Sequence, residues 1–231
     1  ILNGSFENNT ATYCIHDFLK KSDYEGAMQH SVSYGNNYTL YAVNDSCLGC
    51  SPPVYWGGGA KEGNWFLAII GQERVLPDSS IYRKQGKISL ELSAPLSNET
   101  NYKLSFYIKK PPLLPKGVLP CLMTKNNNIK VGISNTDTTF GRHLITTNHG
   151  NNVWVEYSVI FNSKNAEKYV TIEASVNDTI DYNVFIDNFV LVPTTETAIE
   201  QINSPKKQLI KVVDILGKAA LPKQKGLLFY I

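Results

Sequence analysis

The sequence is short of methionine, of histidine and of net charge. Of its 231 residues two are Met and four are His, and 22 Lys plus Arg stand against 20 Asp plus Glu, a formal charge of +2. Positive charge that is neither abundant nor clustered does not track a phosphate backbone, so nucleic acid is not the expected partner. The densest basic group, Lys206, Lys207 and Lys211, reads as part of a solvated linker. No stretch approaches the roughly 20 consecutive apolar residues that carry a helix across a bilayer. Catalytic signatures are missing as well: there is no Gly-x-Ser-x-Gly elbow, no His-Glu-x-x-His, no phosphate loop and no dinucleotide fingerprint. His16, His30, His143 and His149 lack metal-ligand spacing. Glu62, Glu73, Asp78 and Glu91 are the carboxylates a glycoside hydrolase pair would draw on, but their separation is a tertiary quantity. The expectation is a chain that is not an enzyme.

What is present suits a packed domain. Hydrophobic residues make up 42% and charged residues 18%, enough for a core and too little charge for a disordered chain. The chain opens on Ile1 without a signal-peptide pattern, as a mature exported protein or an excised domain would. Tyr and Asn are plentiful, and Asn-x-Ser/Thr triplets include those beginning at Asn8, Asn37, Asn44, Asn98 and Asn177. They fit either eukaryotic glycosylation or the chance yield of an Asn-rich bacterial chain. Cys14, Cys47, Cys50 and Cys121 are an even set, expected to be oxidised in an exported protein, in any of three connectivities. Ser51-Pro52-Pro53 is a poor helix start for a redox C-x-x-C, and Cys14 and Cys121 do not form the second close pair a zinc site wants.

A period of two dominates. It runs through Lys87–Leu92, Tyr102–Ile108, Val153–Phe161, Tyr169–Val176 and Tyr182–Val192. Turn-formers separate these segments, at 97–100, 126–128 and 148–152. Strands spaced by turns, without amphipathic helices between them, predict an all-β antiparallel sandwich, with one helical turn expected near His16 to Lys21. Ser46–Trp65 differs: it holds two cysteines, two prolines, five glycines and the aromatics Tyr55, Trp56 and Trp65, a long shaped loop. After Pro193 a polar stretch, 194–208, reads as a linker. Two short apolar runs follow within 209–231, a small β appendage.

Two parts of the chain resemble known families. Leu2-Asn-Gly-Ser-Phe-Glu7, Gly63-Asn-Trp65 and Phe185-Ile-Asp-Asn-Phe-Val-Leu191 together resemble the galactose-binding-like jelly roll of carbohydrate-binding modules of the family 4, 9 and 22 group. The resemblance covers residues 1–193. It implies first and last strands lying side by side, with Glu7 near Asp187 and a structural calcium held there by hard oxygen ligands. Leu209-Ile-Lys-Val-Val-Asp-Ile-Leu-Gly-Lys218 and Leu227–Ile231 resemble the C-terminal sorting domain of type IX secretion substrates, though a charged final strand is missing after Ile231. That resemblance implies a Bacteroidota-type host, the type IX machinery as a partner, and an extracellular or outer-surface location.

Sugar rings stack their C–H faces on flat aromatics, while their hydroxyls bond to amides, carboxylates and guanidinium groups. Tyr55, Trp56, Trp65 and Tyr82 are candidate platforms, and Asn64, Gln72 and Arg74 candidate polar partners. Trp65 precedes Phe66–Ile70 and reads more readily as core than as a platform, while Trp154 alternates with Val153 and Val155 and fits either face of its strand. The expected function is a secreted, non-catalytic glycan-binding module whose partner is a polysaccharide. The alternative is a structural or adhesive surface protein that packs with other subunits, and a jelly-roll hydrolase or lyase is the weaker third.

Overall fold

A computed structural model describes residues 1–11, 15–17, 21–35, 40–44, 59–75, 78–110, 128–148, 153–176, 182–196, 212–214 and 228–230. Of these, 15–17, 40–44, 72–75, 82–84, 182–183, 212–214 and 228–230 are described as backbone. The chain divides into two compact units, Ile1–Ala198 and Ile199–Ile231.

The first unit is an antiparallel sandwich, as the period of two predicts. Its seven-stranded sheet takes β1 (Ile15–Asp17), β3 (Leu40–Asn44), β4 (Trp65–Val75), β12 (Tyr182–Pro193), β7 (Asn101–Lys109) and β10 (Val155–Asn162) in that order, with β5 (Ile81–Gln85) also paired to β4. The five-stranded sheet runs β2 (Ser31–Ser33), β6 (Lys87–Glu91), β11 (Tyr169–Ala174), β8 (Ile129–Ser134) and β9 (Arg142–Thr146). The five segments of alternating sequence are β6, β7, β10, β11 and β12. The expected helical turn is displaced: His16 and Asp17 are in β1, and the helix α1 is Lys21–Ala27. A Lys21–Glu25 ion pair of 3.3 Å spans one turn of it, and burial of Tyr24 and Ala27 fixes its inner face.

Alternation sorts each strand into two faces. Leu67 and Ile69 of β4, Leu104, Phe106 and Ile108 of β7, and Val184 and Ile186 of β12 enter the core between the sheets. Ile88 and Leu90, Val170 and Ile172, and Val131 and Ile133 meet them from the other sheet. Ser89 breaks the polar-out expectation for β6: it points away from this core yet is fully buried, its Oγ donating to the Asp137 carbonyl at 2.7 Å. The β8–β9 loop therefore lies over the outer face of the five-stranded sheet.

The opening segment corrects one expectation. Leu2–Phe6 is a run of turns, not a strand. It nevertheless meets the last long strand, because Phe189 donates its amide to the Gly4 carbonyl at 2.9 Å. A Cβ on Gly4 would lie 2.1 Å from the Phe189 oxygen, so only glycine permits this crossing. Asn3 holds the turn, its side-chain amide donating to the carbonyls of Asn8 (3.0 Å) and Gln29 (2.8 Å). At the far end Thr194 donates to the Asn101 carbonyl at 2.9 Å, and Asn101 donates to the Glu196 carbonyl at 3.1 Å. The first unit thus continues beyond Pro193, into residues the sequence assigned to a linker.

The second unit contains β13 (Val212–Asp214) and β14 (Leu228–Tyr230), paired antiparallel with Val213 opposite Phe229. Both lie inside the two apolar runs read from the sequence.

Phe106 is fully buried, stacked on Phe189 at 4.9 Å and on Tyr157 at 5.9 Å. Phe106→Ala is expected to cost about 3–5 kcal/mol, lowering the thermal midpoint by roughly 10 °C for a unit of this size. A loss below about 1 kcal/mol in thermal unfolding would show that this stack is not central to the core.

Candidate functional site

The outer face of the seven-stranded sheet begins with an irregularity in β12. Asp187 pairs with Tyr107 and Val190 with Ser105, so one extra residue is inserted on the β12 side. Asn188 absorbs it at φ 50, a left-handed conformation that Asn tolerates. The insertion reverses the alternation. Phe185 and Asp187 face outward before it; after it Phe189 turns into the core and Val190 and Val192 are exposed.

Asp187, fully buried, is thereby aimed at the chain entering β4. Its Oδ2 accepts the amides of Lys61 (2.7 Å) and Glu62 (3.1 Å), and its Oδ1 that of Asn188 (2.7 Å). Glu7 continues the pattern, Oε1 accepting the amides of Asn64 (2.9 Å) and Trp65 (2.7 Å). Gly63 between them has φ 69, and a Cβ there would come within 2.5 Å of the Glu7 carboxyl. Two carboxylates thus grip one short turn through four of its amides, and Asp187 takes a fifth from Asn188. Burial pushes the Asp187 carboxyl up to about 7; the amides of Glu62, Lys61 and Asn188 oppose that shift and the Glu7 charge adds to it. The juxtaposition of Glu7 and Asp187 expected from the resemblance is present.

Just before that turn, Gly59 offers its carbonyl to two donors, Lys109 Nζ at 3.2 Å and Trp154 Nε1 at 2.8 Å. Lys109 is 2% exposed, its ammonium 4.8 Å from the Trp154 ring centroid, 5.5 Å from Phe66 and 5.8 Å from Phe185. Phe66, Ala68 and Phe185 form a second apolar cluster here, on the side of the sheet away from the main core, with Trp154 and Ala60 against it. Nearby, Lys61 lies 4.5 Å over the Tyr107 ring, whose hydroxyl donates to Glu156 Oε2 at 3.3 Å.

The same alternation carries Phe66 and Ala68 along β4 to Gln72 and Arg74. The β4–β5 register pairs Arg74 with Tyr82 and Gln72 with Lys84, so Gln72, Arg74 and Tyr82 share the outer face. Trp65 belongs to the opposite parity and packs, half-buried, against the main core; the structure separates it from that group. Asn64 is exposed at the turn that Glu7 holds. Tyr55, Trp56 and all four cysteines lie outside the described residues. Lys61, Tyr107, Lys109 and Glu156 escaped sequence reading. The outward parity of 103, 105, 107 and 109 was legible in β7, but nothing in the sequence said which groups gather on this face.

No protein-family model matches the chain, and no curated protein sequence matches it. Among solved structures it is similar to a cyclase from Fischerella sp. TAU, with TM-score 0.50 and 14% identity over 85% of this chain and 97% of that one. It also resembles TmCBM61 in complex with beta-1,4-galactotriose (TM-score 0.44, 13% identity, 84% of this chain and 97% of that one). A third is the K1 cleaved adhesin domain of Lys-gingipain from Porphyromonas gingivalis W83 (0.45, 14%, 82% and 96%). At such identity the cyclase likeness concerns the fold alone, and nothing further follows from the two weaker ones. Among the described residues no group of three or more His, Cys, Asp or Glu is arranged to hold a metal ion, and no helix is long and apolar enough to cross a membrane.

The raised Asp187 carboxyl has a pH consequence. An unfolded aspartate ionises near 3.8, the folded one near 7. Between those values the folded state keeps a proton that the unfolded state has lost, so stability falls as pH rises from about 4 to 7 and levels off above. Melting temperatures across that range, with chelator present, are expected to decline more steeply in the wild type than in Asp187→Asn. Parallel curves would mean that Asp187 is ionised throughout.

Proposed function

We propose that this chain is a secreted, non-catalytic glycan-binding module acting at the cell surface or in the extracellular medium. The observation that carries the reading is the shared outward face of Gln72, Arg74 and Tyr82. One aromatic platform and two planar polar groups on adjacent strands are what a pyranose ring with equatorial hydroxyls calls for. The outer face of the same sheet also carries Tyr107 and Glu156, and the jelly-roll resemblance in Leu2–Glu7 and Phe185–Leu191 points the same way. Residues 209–231 would serve as the type IX sorting tail, supported by the resemblance of Leu209–Lys218 and by a β13–β14 pair within it. In this reading Cys14, Cys47, Cys50 and Cys121 are disulfide-bonded, in keeping with export.

We also propose structural calcium at Glu7 and Asp187. The donors are hard oxygens, as calcium requires. Five amides take both lone pairs of Asp187 Oδ2 and Glu7 Oε1 and one of Asp187 Oδ1, leaving acceptor capacity on Asp187 Oδ1 and Glu7 Oε2. A bound cation would oppose the upward shift that burial, and to a lesser degree the Glu7 charge, imposes on the Asp187 carboxyl. The adhesive alternative has one observation in its favour, the exposure of Val190 (42%) and Val192 (45%) on the outer face. Sedimentation of the native protein as a monomer would remove it.

Two measurements test the main readings. Titration against a glycan array should find a ligand, and Arg74→Ala or Tyr82→Ala should weaken it about tenfold, near 1.4 kcal/mol, with circular dichroism unchanged. Wild-type affinity in both variants would move the site off this face. Calcium restored after chelation should raise the melting temperature by mass action, and less so in Asp187→Asn. No rise at millimolar calcium would discard the metal.

A further inference from the structure

A cleft of ≈ 390 Å³ lies on the other side of the sandwich, against the outer face of the five-stranded sheet. It is bounded by α1, the start of β2, the ends of β6 and β11, and the β8–β9 loop. Its size falls in the range of small-molecule pockets, about 300–1,000 Å³. Three buried residues line its depth: Met28 (0% exposed), Ser31 (4%) and Ser89 (0%). The cleft is built rather than incidental in one respect. Ser89 ties the Asp137 carbonyl of the β8–β9 loop to the sheet, and Thr171 ties that of Phe140, so the loop forms a fixed wall.

Its polar groups are of both kinds. Glu25, Glu91 and Asp137 bring carboxylates, while Lys21, His30 and Tyr169 bring donors. Two pairs are partly committed: Lys21 to Glu25 Oε1 at 3.3 Å and His30 Nδ1 to Glu91 Oε2 at 2.9 Å. Each leaves the second carboxylate oxygen unspent. Among the described residues, the Asp137 carboxylate and the Tyr169 hydroxyl have no hydrogen-bond or ion-pair partner. His30 is held at φ 58 while its carbonyl accepts the Glu91 amide at 2.9 Å, so the imidazole at the rim is set by the backbone.

We propose that this cleft binds a small, uncharged, polyhydroxylated ligand, of mono- or disaccharide size, with Asp137, Glu91 and Tyr169 making the principal contacts. Charge decides the class. An anion would face three carboxylates; a cation would find only Asp137 uncommitted, in a lining that also holds the Lys21 ammonium, and would leave the Tyr169 hydroxyl and the apolar groups unused. A hydroxyl can donate to a free carboxylate oxygen and accept from Lys21 or Tyr169 at once, so it uses the mixed lining without a net charge to compensate. Met28 and Val32 with the Tyr169 ring provide the apolar surface on which C–H groups rest. The proposal does not depend on the Gln72–Arg74–Tyr82 face, which belongs to the opposite sheet.

The test uses the full chain carrying Arg74→Ala and Tyr82→Ala, so that binding at the other face does not contribute. Amide chemical shifts are followed while glucose, galactose, N-acetylglucosamine and cellobiose are added to tens of millimolar. Ethylammonium and inorganic phosphate serve as charged probes. At least one sugar should perturb amides of α1, Ser31–Ser33, Ser89–Glu91, Asp137 and Tyr169. Adding Asp137→Ala with Tyr169→Phe should weaken that response about tenfold; both side chains are half-buried outside the main core, and the remaining shifts will show whether the fold is retained. Silence of those amides toward every sugar overturns the proposal. So does a response to ethylammonium or phosphate alone, or sugar binding that survives the Asp137 and Tyr169 substitutions undiminished.

Discussion

One inserted residue in β12, between Asp187 and Val190, sets most of what this molecule can do. A regular strand would send residue 189 outward with 185 and 187. The insertion instead drives Phe189 inward, where it stacks on Phe106 and meets Phe6 edge-on at 6.3 Å. It also releases the Phe189 amide from the ladder to bond Gly4, which fastens the N-terminal turns across the sheet. Asp187, outward by the regular alternation that precedes the insertion, lies under the turn at 61–64. A bulge that serves the core on one side and resets the outer face on the other is the constraint from which the rest follows.

The cost is concentrated at Asp187. Its carboxylate is fully buried beside a second carboxylate, an arrangement that disfavours the ionised form despite three amide donors. The turn it holds leads directly into β4, and Gly59 is fixed on the other side by Lys109 and Trp154. Residues 59–65 are therefore clamped from two directions, by oxygens that accept amides and by nitrogens that donate to a carbonyl. A segment so held is suited to present neighbouring groups rigidly, which lowers the ordering entropy a ligand must overcome.

Sequence reading went far with the strands and less far with their faces. Alternation located β6, β7, β10, β11 and β12, because one apolar face per strand is a local pattern. It misplaced the helix by several residues, since the Lys21–Glu25 pair and the burial of Tyr24 are weak local signals beside turn-rich surroundings. It took the Leu2–Glu7 segment as a strand, although Gly4 and Asn3 belong to a run of turns whose bonds reach Asn8, Gln29 and Phe189. For Trp65 the reading left core and platform both open, and parity with Leu67 and Ile69 resolves it as core.

By itself the sequence determined that this is a β-sandwich chain with an apolar core, a consequence of two-residue periodicity that needs no knowledge of distant neighbours; that Glu7 lies near Asp187 was implied only by the jelly-roll resemblance. Only the tertiary structure decided that Ser89 is buried on the outer side of its strand, that Lys109 is enclosed by three rings, and that Lys61 lies over Tyr107. Burial on a sheet's outer face depends on which loop folds over it, and a loop's path is set by contacts between residues far apart in the chain. Strand alternation says which side a residue takes, but not what covers that side.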